Sequence, residues 1–105
     1  MAANFEAIRG LAREYAETVR QVLPVDKVIL YGSYANGTAT QASDVDVCFF
    51  LSDFDGKSRV DVIGELLGLC GRYKGAYFEP NVFPTSEIER GNPFVKEIIL
   101  TGIEI

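Results

Sequence analysis

Apolar residues recur at Phe5, Ile8, Leu11, Tyr15, Val19 and Val22, a spacing that puts them on one face of a helix with polar residues opposite. Pro24 ends that helix. The run "VDKVILYG" then reads as a strand leading into Gly32, and "DVDVCFFL", residues 44–51, as a second strand buried on both faces towards its end. "DFDGK" is a turn. "SRVDVIGELLGLCGRYK" predicts a second helix, with Ser58 as N-cap and Asp61 at the third helical position. Its glycines Gly64, Gly68 and Gly71 lower the helix propensity and predict close packing on the sheet. "AYFEPNVF" is a third strand, which Pro80 confines to an edge, a strand end or a bulge.

"TSEIERG" follows as one or two helical turns. "NPFVKEIILTG" is a last helix with Asn92 as N-cap, Pro93 at the first position and Gly102 at the stop. The apolar tail "FVKEIILTGIEI" must pair with the sheet or with another chain. The order helix, strand, strand, helix, strand, helix predicts an α/β (α+β) fold: a small mixed sheet with helices covering one face. At 105 residues, the whole span 1–105 is expected to be one domain.

Composition narrows the chemistry. The apolar and charged fractions, 48% and 24%, are those of an ordinary globular chain. No apolar run approaches the ~18 residues of a membrane span, and the N-terminus lacks a basic segment followed by an apolar one. A cytoplasmic location is therefore expected. Cys48 and Cys70 both sit in apolar pattern, which fits a pair of buried thiols better than a disulfide. A net charge of −5 without a Lys/Arg cluster argues against a general nucleic-acid binder. The chain has no histidine, which excludes Ser-His-Asp and Cys-His catalysis and most zinc sites. Carboxylates, hydroxyls, backbone groups and a bound cation remain.

Two acids then stand out within the second strand. Side chains alternate along a strand, so Asp44 and Asp46 share a face with Cys48 and Phe50, while Val45, Val47 and Phe49 face the core. Two carboxylates about 6 Å apart at an effective dielectric of ~20 repel by roughly 3 kcal/mol. Solvent at an exposed strand end, a shared proton or an intervening cation can relieve this. A hard divalent cation, Mg²⁺ or Mn²⁺, suits such oxygen ligands and leaves positions for substrate phosphates. Upstream, Gly32 permits a tight turn and a close ligand approach. Ser33 is expected to cap a short helical turn whose N–H groups can hold phosphate oxygens. Ten residues separate Ser33 from Asp44, room for that turn and a return to the neighbouring strand. A phosphate cradle beside a cation site is what phosphoryl and nucleotidyl transfer require.

The segment "GSYANGTATQASDVDV" resembles the signature of the DNA polymerase β-like nucleotidyltransferase superfamily, and the chain resembles its minimal nucleotidyltransferase (MNT) domains over nearly its whole length. The resemblance implies that Gly32 and Ser33 hold the outer phosphates of a nucleoside triphosphate and that Asp44 and Asp46 bind Mg²⁺. A third acid on the next strand, by position Glu79, completes the metal-binding and catalytic set. Aspartate is commoner at that place; glutamate reaches ~1.5 Å further and can ligate or act as base. Asn36 stands where many relatives carry an arginine near the triphosphate, which weakens the charge stabilisation there.

The resemblance further implies ATP as substrate and a helical HEPN-type RNase toxin as partner; a hetero-oligomer or a homodimer is expected. In that family the antitoxin silences the toxin by adding AMP to one of its tyrosines. Two other readings fit the same residues: a non-catalytic nucleotide- or partner-binding module, and a small-molecule nucleotidyltransferase of the aminoglycoside-modifying kind acting with a helical subunit. Ser43 orders the turn before Asp44, and Asp53, Asp55 and Asp61 read as loop and helix-start acids. Tyr31 and Tyr34 flank the cradle, and core packing suits them better than base stacking.

Overall fold

The computed structural model describes residues 5–39, 44–70 and 76–105. Along the chain run α1 (Phe5–Arg20), β1 (Val25–Tyr31), the one-turn α2 (Ser33–Asn36), β2 (Val45–Leu51), α3 (Arg59–Cys70), β3 (Phe78–Pro84), a 3₁₀ turn (Thr85–Ile88), α4 (Pro93–Thr101) and β4 (Ile103–Glu104). The four strands form one sheet in the order β3-β2-β1-β4. β1 pairs antiparallel with both β2 and β4, whereas β2 and β3 are parallel. A parallel pair needs a crossover, and α3 supplies it. The sheet is thus mixed, as expected.

Alternation along the strands separates two layers. Val28, Leu30, Val45, Val47, Phe49, Leu51, Phe78 and Val82 pack on one face beneath α1 and α3, around the buried Tyr15. The Tyr15 hydroxyl donates to the Leu66 carbonyl at 2.5 Å, tying α1 to α3. Ile29, Cys48 and Phe50 point the other way and meet Val95 and Ile98 of α4. The helices therefore do not cover one face only: α4 covers part of the second. This corrects the single-sided layer read from the sequence, and the reason is the tail. After α4 the chain returns as β4 against β1, with Ile105 N–H donating to the Val28 carbonyl at 3.0 Å. Gly102 makes that return possible, because a Cβ there would lie 3.0 Å from the Leu30 carbonyl oxygen and closer still to Ile29 and the Ile98 carbonyl.

Three further expectations change. α1 stops at Arg20, so Leu23 turns inward while Val22 is exposed. Gly64 and Gly68 are exposed, with open space where a side chain would stand, so they do not mediate close packing on the sheet; Gly71 lies outside the described residues. Both cysteines are free, but only Cys48 is buried; Cys70 is half-buried.

The capping chemistry follows the sequence closely. Asn92 accepts from the N–H groups of Phe94 and Val95 at the start of α4. Ser58 Oγ accepts from Asp61 N–H and the Asp61 carboxylate accepts from Ser58 N–H, both at 3.1 Å, a reciprocal capping box. The charged carboxylate gains from these bonds, so its pKa is lowered. Replacing Ser58 by Ala is expected to destabilise the fold by about 1 kcal/mol, read as a lower denaturation midpoint with an unchanged slope.

β3 is an edge strand, one of the places its proline allows. Its outward-facing backbone is blunted: Pro80 and Pro84 lack N–H groups, the Val82 N–H donates to Asn81 Oδ1 at 2.9 Å, and the Val82 carbonyl accepts from Arg59 Nε at 2.7 Å. Few free groups remain there for strand addition. Among the described residues no helix is long and apolar enough to cross a membrane.

Candidate active site

β1 ends in Tyr31, and the chain turns at once through Gly32. Gly32 has φ +73°, which an L side chain adopts only under strain. It also has no room: a Cβ there would overlap a carboxylate oxygen of Asp46 and lie 3.1 Å from its Cγ. Gly32 is itself the N-cap of α2, its carbonyl accepting from Ala35 and Asn36 N–H at 3.1 Å each. Ser33 is therefore the first helical residue, not the cap expected from the sequence. The capping duty falls to the Gly32 backbone carbonyl.

Sheet register brings the acids together. Asp46 pairs with Tyr31 on one side and with Glu79 on the other, so these three form one row across β1, β2 and β3. Phe78 faces the opposite way into the core, as the alternation requires. Glu79 is close enough to Asp46 to hydrogen-bond it when one of the two carboxyls is protonated. That contact needs a proton, since two bare carboxylates have no donor between them. Burial first, then the charge and hydrogen bond of Glu79 and the charge of Asp44, push the Asp46 carboxyl up from 3.8 to about 6. Asp44 is exposed just before β2 begins and acts on Asp46 through its charge. Ser43 lies outside the described residues.

Donor type and electrostatics here suit a hard cation: oxygen ligands crowd together, and their repulsion is relieved by a proton that a metal could replace. Asp46 and Glu79 are already adjacent. Among the described residues, however, no group of three or more potential ligands is gathered closely enough to hold a metal. Asp44 would have to turn inward to complete a set of three.

Tyr31 and Asn36 line a cavity of about 260 Å³ together with Gly32, Phe94, Glu97 and Thr101. Asn36 is exposed, and its Oδ1 accepts from Thr38 N–H at 3.1 Å and Thr38 Oγ1 at 2.6 Å. Those bonds leave its amide N–H groups to donate outward. Tyr31 is half-buried, with its ring edge-on to Phe94 at 6.2 Å, whereas Tyr34 is buried in the core. Burial chiefly, and the nearby acids, raise the Tyr31 phenol to about 12 against a hydrogen bond from Asn81. It is a neutral hydroxyl at any ordinary pH.

The sequence reading passed over two neighbours of this row. Tyr77 precedes β3, and its carbonyl accepts from Val45 N–H at 2.7 Å, which sets it beside Asp44. It is 76% exposed, unusual for so large a ring. Asn81 stands two residues after Glu79 on the same face; strand alternation alone could have found it. Nothing in the sequence pattern marks Arg59, which grips Asn81 from another element.

Residues 12–102 match the family model of the nucleotidyltransferase domain. Among solved structures, the chain is similar to a provisionally assigned nucleotidyltransferase from Sulfolobus solfataricus, with a TM-score of 0.62 and 21% identity over 90% of this chain and 76% of that one. At that identity the likeness bears on the fold. Comparison with curated protein sequences gives no match.

Proposed function

The chain belongs to the nucleotidyltransferase-domain family, and from that premise we propose that it transfers AMP from ATP to a hydroxyl on a protein partner. The observation that carries this reading is the packing of Gly32 against Asp46, with Asp46 in register with Glu79. It sets a glycine turn and the start of α2 directly beside a pair of acids. The turn suits the outer phosphates, and the acids suit the reacting phosphorus and its cation.

Asp46 and Glu79, with Asp44 turned inward, would hold Mg²⁺ or Mn²⁺. When bound, such a cation neutralises charge on the phosphates and the departing pyrophosphate. The remaining work falls to this chain's own groups. Gly32, Ser33 and the first N–H groups of α2 orient the β- and γ-phosphates. The acceptor hydroxyl approaches from the β3 side and places its oxygen on the α-phosphorus. The bond from that phosphorus to the bridging oxygen breaks, and pyrophosphate leaves across the Gly32 turn. Glu79 takes the proton that the hydroxyl loses. The exposed ring of Tyr77 offers an approaching acceptor an aromatic surface on that same side.

For the acceptor, the resemblance supports a tyrosine on a helical HEPN-type RNase, with the present chain as antitoxin. The test is to incubate the purified protein with Mg²⁺, a source-cell extract and α-labelled ATP, GTP, CTP or UTP in turn. The expected result is ATP-derived label on one protein band, lost in Asp46→Asn. Label on a small molecule would overturn the protein-acceptor reading in favour of the aminoglycoside-type one. No transfer from any nucleotide would point to a binding module.

A further inference from the structure

The cavity of about 260 Å³ between α4 and the Gly32 turn has no part in the chemistry described so far. Val95 and Ile98 anchor α4 on the sheet beside Ile29, Cys48 and Phe50. The helix then turns Phe94, Glu97 and Thr101, spaced by three and four residues, towards Tyr31, Gly32 and Asn36 across the cavity. Two of those residues also belong to the acid row: Gly32 packs on Asp46, and Tyr31 is in register with it. The cavity therefore adjoins the row on its β1 side.

Its chemistry differs from that of the row. No cationic side chain lines it, and Glu97 adds a negative charge, so phosphate groups are repelled. Its volume falls short of the ~300–1,000 Å³ of pockets that hold a whole drug-sized ligand, which leaves room for part of a nucleotide. The walls suit a flat, uncharged part. The Tyr31 and Phe94 rings stand at 86° to each other with centroids 6.2 Å apart, a corner in which a planar ring can lie on one face and against one edge. Phe94 is 47% exposed, so its surface is open to such a ring.

Hydrogen bonds within the protein decide which groups are left to read the edge of that ring. Asn36 Oδ1 is taken by Thr38 N–H and Thr38 Oγ1, so the Asn36 amide faces outward as a donor. Thr101 Oγ1 donates to the Glu97 carbonyl at 2.8 Å, which leaves it only lone pairs, and the Glu97 carboxylate only accepts. Among the described residues no cation pairs with that carboxylate. The α4 wall thus accepts and the α2 wall donates. A base edge with an amino group next to a ring nitrogen answers both.

We propose that this cavity is the nucleobase site, the amino group of the base donating to Glu97 and the neighbouring ring nitrogen accepting from Asn36. This rests on the nucleotidyl-transfer reading above and deepens it. Adenine carries such an edge; uracil, with a ring N–H between two carbonyls, does not. A base held on the β1 side also leaves the β3 edge free for the acceptor.

The test compares two Mg²⁺-bound nucleotides by calorimetry on the full chain: a non-hydrolysable ATP analogue and the same molecule without its 6-amino group. The unaltered protein is expected to bind the first roughly 10-fold more tightly, the scale of one hydrogen bond to a charged group. Glu97→Ala should erase that preference by weakening the first nucleotide alone. Asn36→Asp keeps an acceptor for Thr38 and loses the N–H donors, so it should weaken both nucleotides, since both carry the ring nitrogen. Glu97 is exposed, and melting temperatures would verify that its variant stays folded. Equal binding of the two nucleotides by the unaltered protein, or a preference that survives Glu97→Ala, would overturn the base site. Transfer from ATP, followed in parallel, separates the two readings. A Glu97-dependent preference without transfer refutes nucleotidyl transfer and leaves the base site standing; transfer without the preference does the reverse. No binding of either nucleotide refutes both.

Discussion

Asp46→Asn should yield a protein that is more stable than the unaltered one at neutral pH and yet inactive. Asparagine keeps the shape and the hydrogen bond to Glu79 but cannot carry the charge that a cation or a phosphoryl group requires. A loss of transfer of about 10³-fold or more is expected, the scale seen when a group acting on developing charge is removed. The stability change has the opposite sign. The Asp46 carboxyl titrates near 6 in the folded chain against 3.8 for the ordinary group. An acid shifted upward stabilises the fold while it is protonated, so that contribution is present below about pH 4 and lost as pH rises through about 6. Asparagine stays neutral throughout. In a metal chelator, the two proteins should melt together near pH 4 and diverge above pH 6, with the variant higher by a few degrees, a modest shift because solvent screens the partly exposed pair. Adding Mg–ATP should raise the melting temperature of the unaltered protein alone. A variant less stable than the parent at pH 7.5 would contradict the strained acid pair.

Gly32→Ala is expected to produce the second large effect, and for two separable reasons. At Gly32, φ +73° and ψ −148° lie in a region open essentially to glycine alone, which costs alanine about 1–3 kcal/mol. The added methyl would also drive into the Asp46 carboxylate. Gly37 is the comparison: its φ +81° and ψ 11° are those of the milder left-handed helical region, and nothing lies within 4 Å of a built Cβ. Gly37→Ala should therefore show the backbone penalty alone, about 1 kcal/mol, and Gly32→Ala more than about 2 kcal/mol. Transfer should fall at least about 100-fold in Gly32→Ala, because both the phosphate turn and Asp46 are displaced. Shortening Asp46 to alanine should relieve the clash, so the stability losses of Gly32→Ala and Asp46→Ala should not add. Equal destabilisation by Gly32→Ala and Gly37→Ala, measured by denaturant unfolding, would remove the close approach from the account.

Much of this site could be read from the sequence because it rests on local rules. Alternation put Asp46 and Glu79 on one face and Val45 and Phe78 on the other. A glycine after a strand marked a turn that no other residue could make. Ser58, Asp61, Asn92 and Pro93 announced two helix starts through their hydrogen-bonding chemistry. What stayed hidden depends on register and on elements distant in sequence. That Asp46 faces Glu79, and not a residue two places away, is a property of the parallel pairing of β2 with β3. That Gly32 lacks room because of Asp46 is likewise a contact across strands. The glycines of α3 looked like packing residues, yet Gly64 and Gly68 stand in open space; composition alone does not say which face of a helix is covered. α4 and β4 are the clearest case. Their existence followed from caps and apolar pattern, but their place on the second face follows from Gly102 fitting tightly against β1.

The most direct measurement is to locate where a metal-bound nucleotide sits. A ¹⁵N-labelled sample titrated with Mn²⁺ and a non-hydrolysable ATP analogue would report this through paramagnetic broadening of backbone amides. Broadening is expected to be strongest at Gly32, Ser33, Asp46 and Glu79, to require the nucleotide and the cation together, and to vanish in Asp46→Asn. Signals centred instead on the Asp53–Lys57 turn at the far end of β2, or spread evenly over the acidic surface, would contradict the placement of the nucleotide on the acid row.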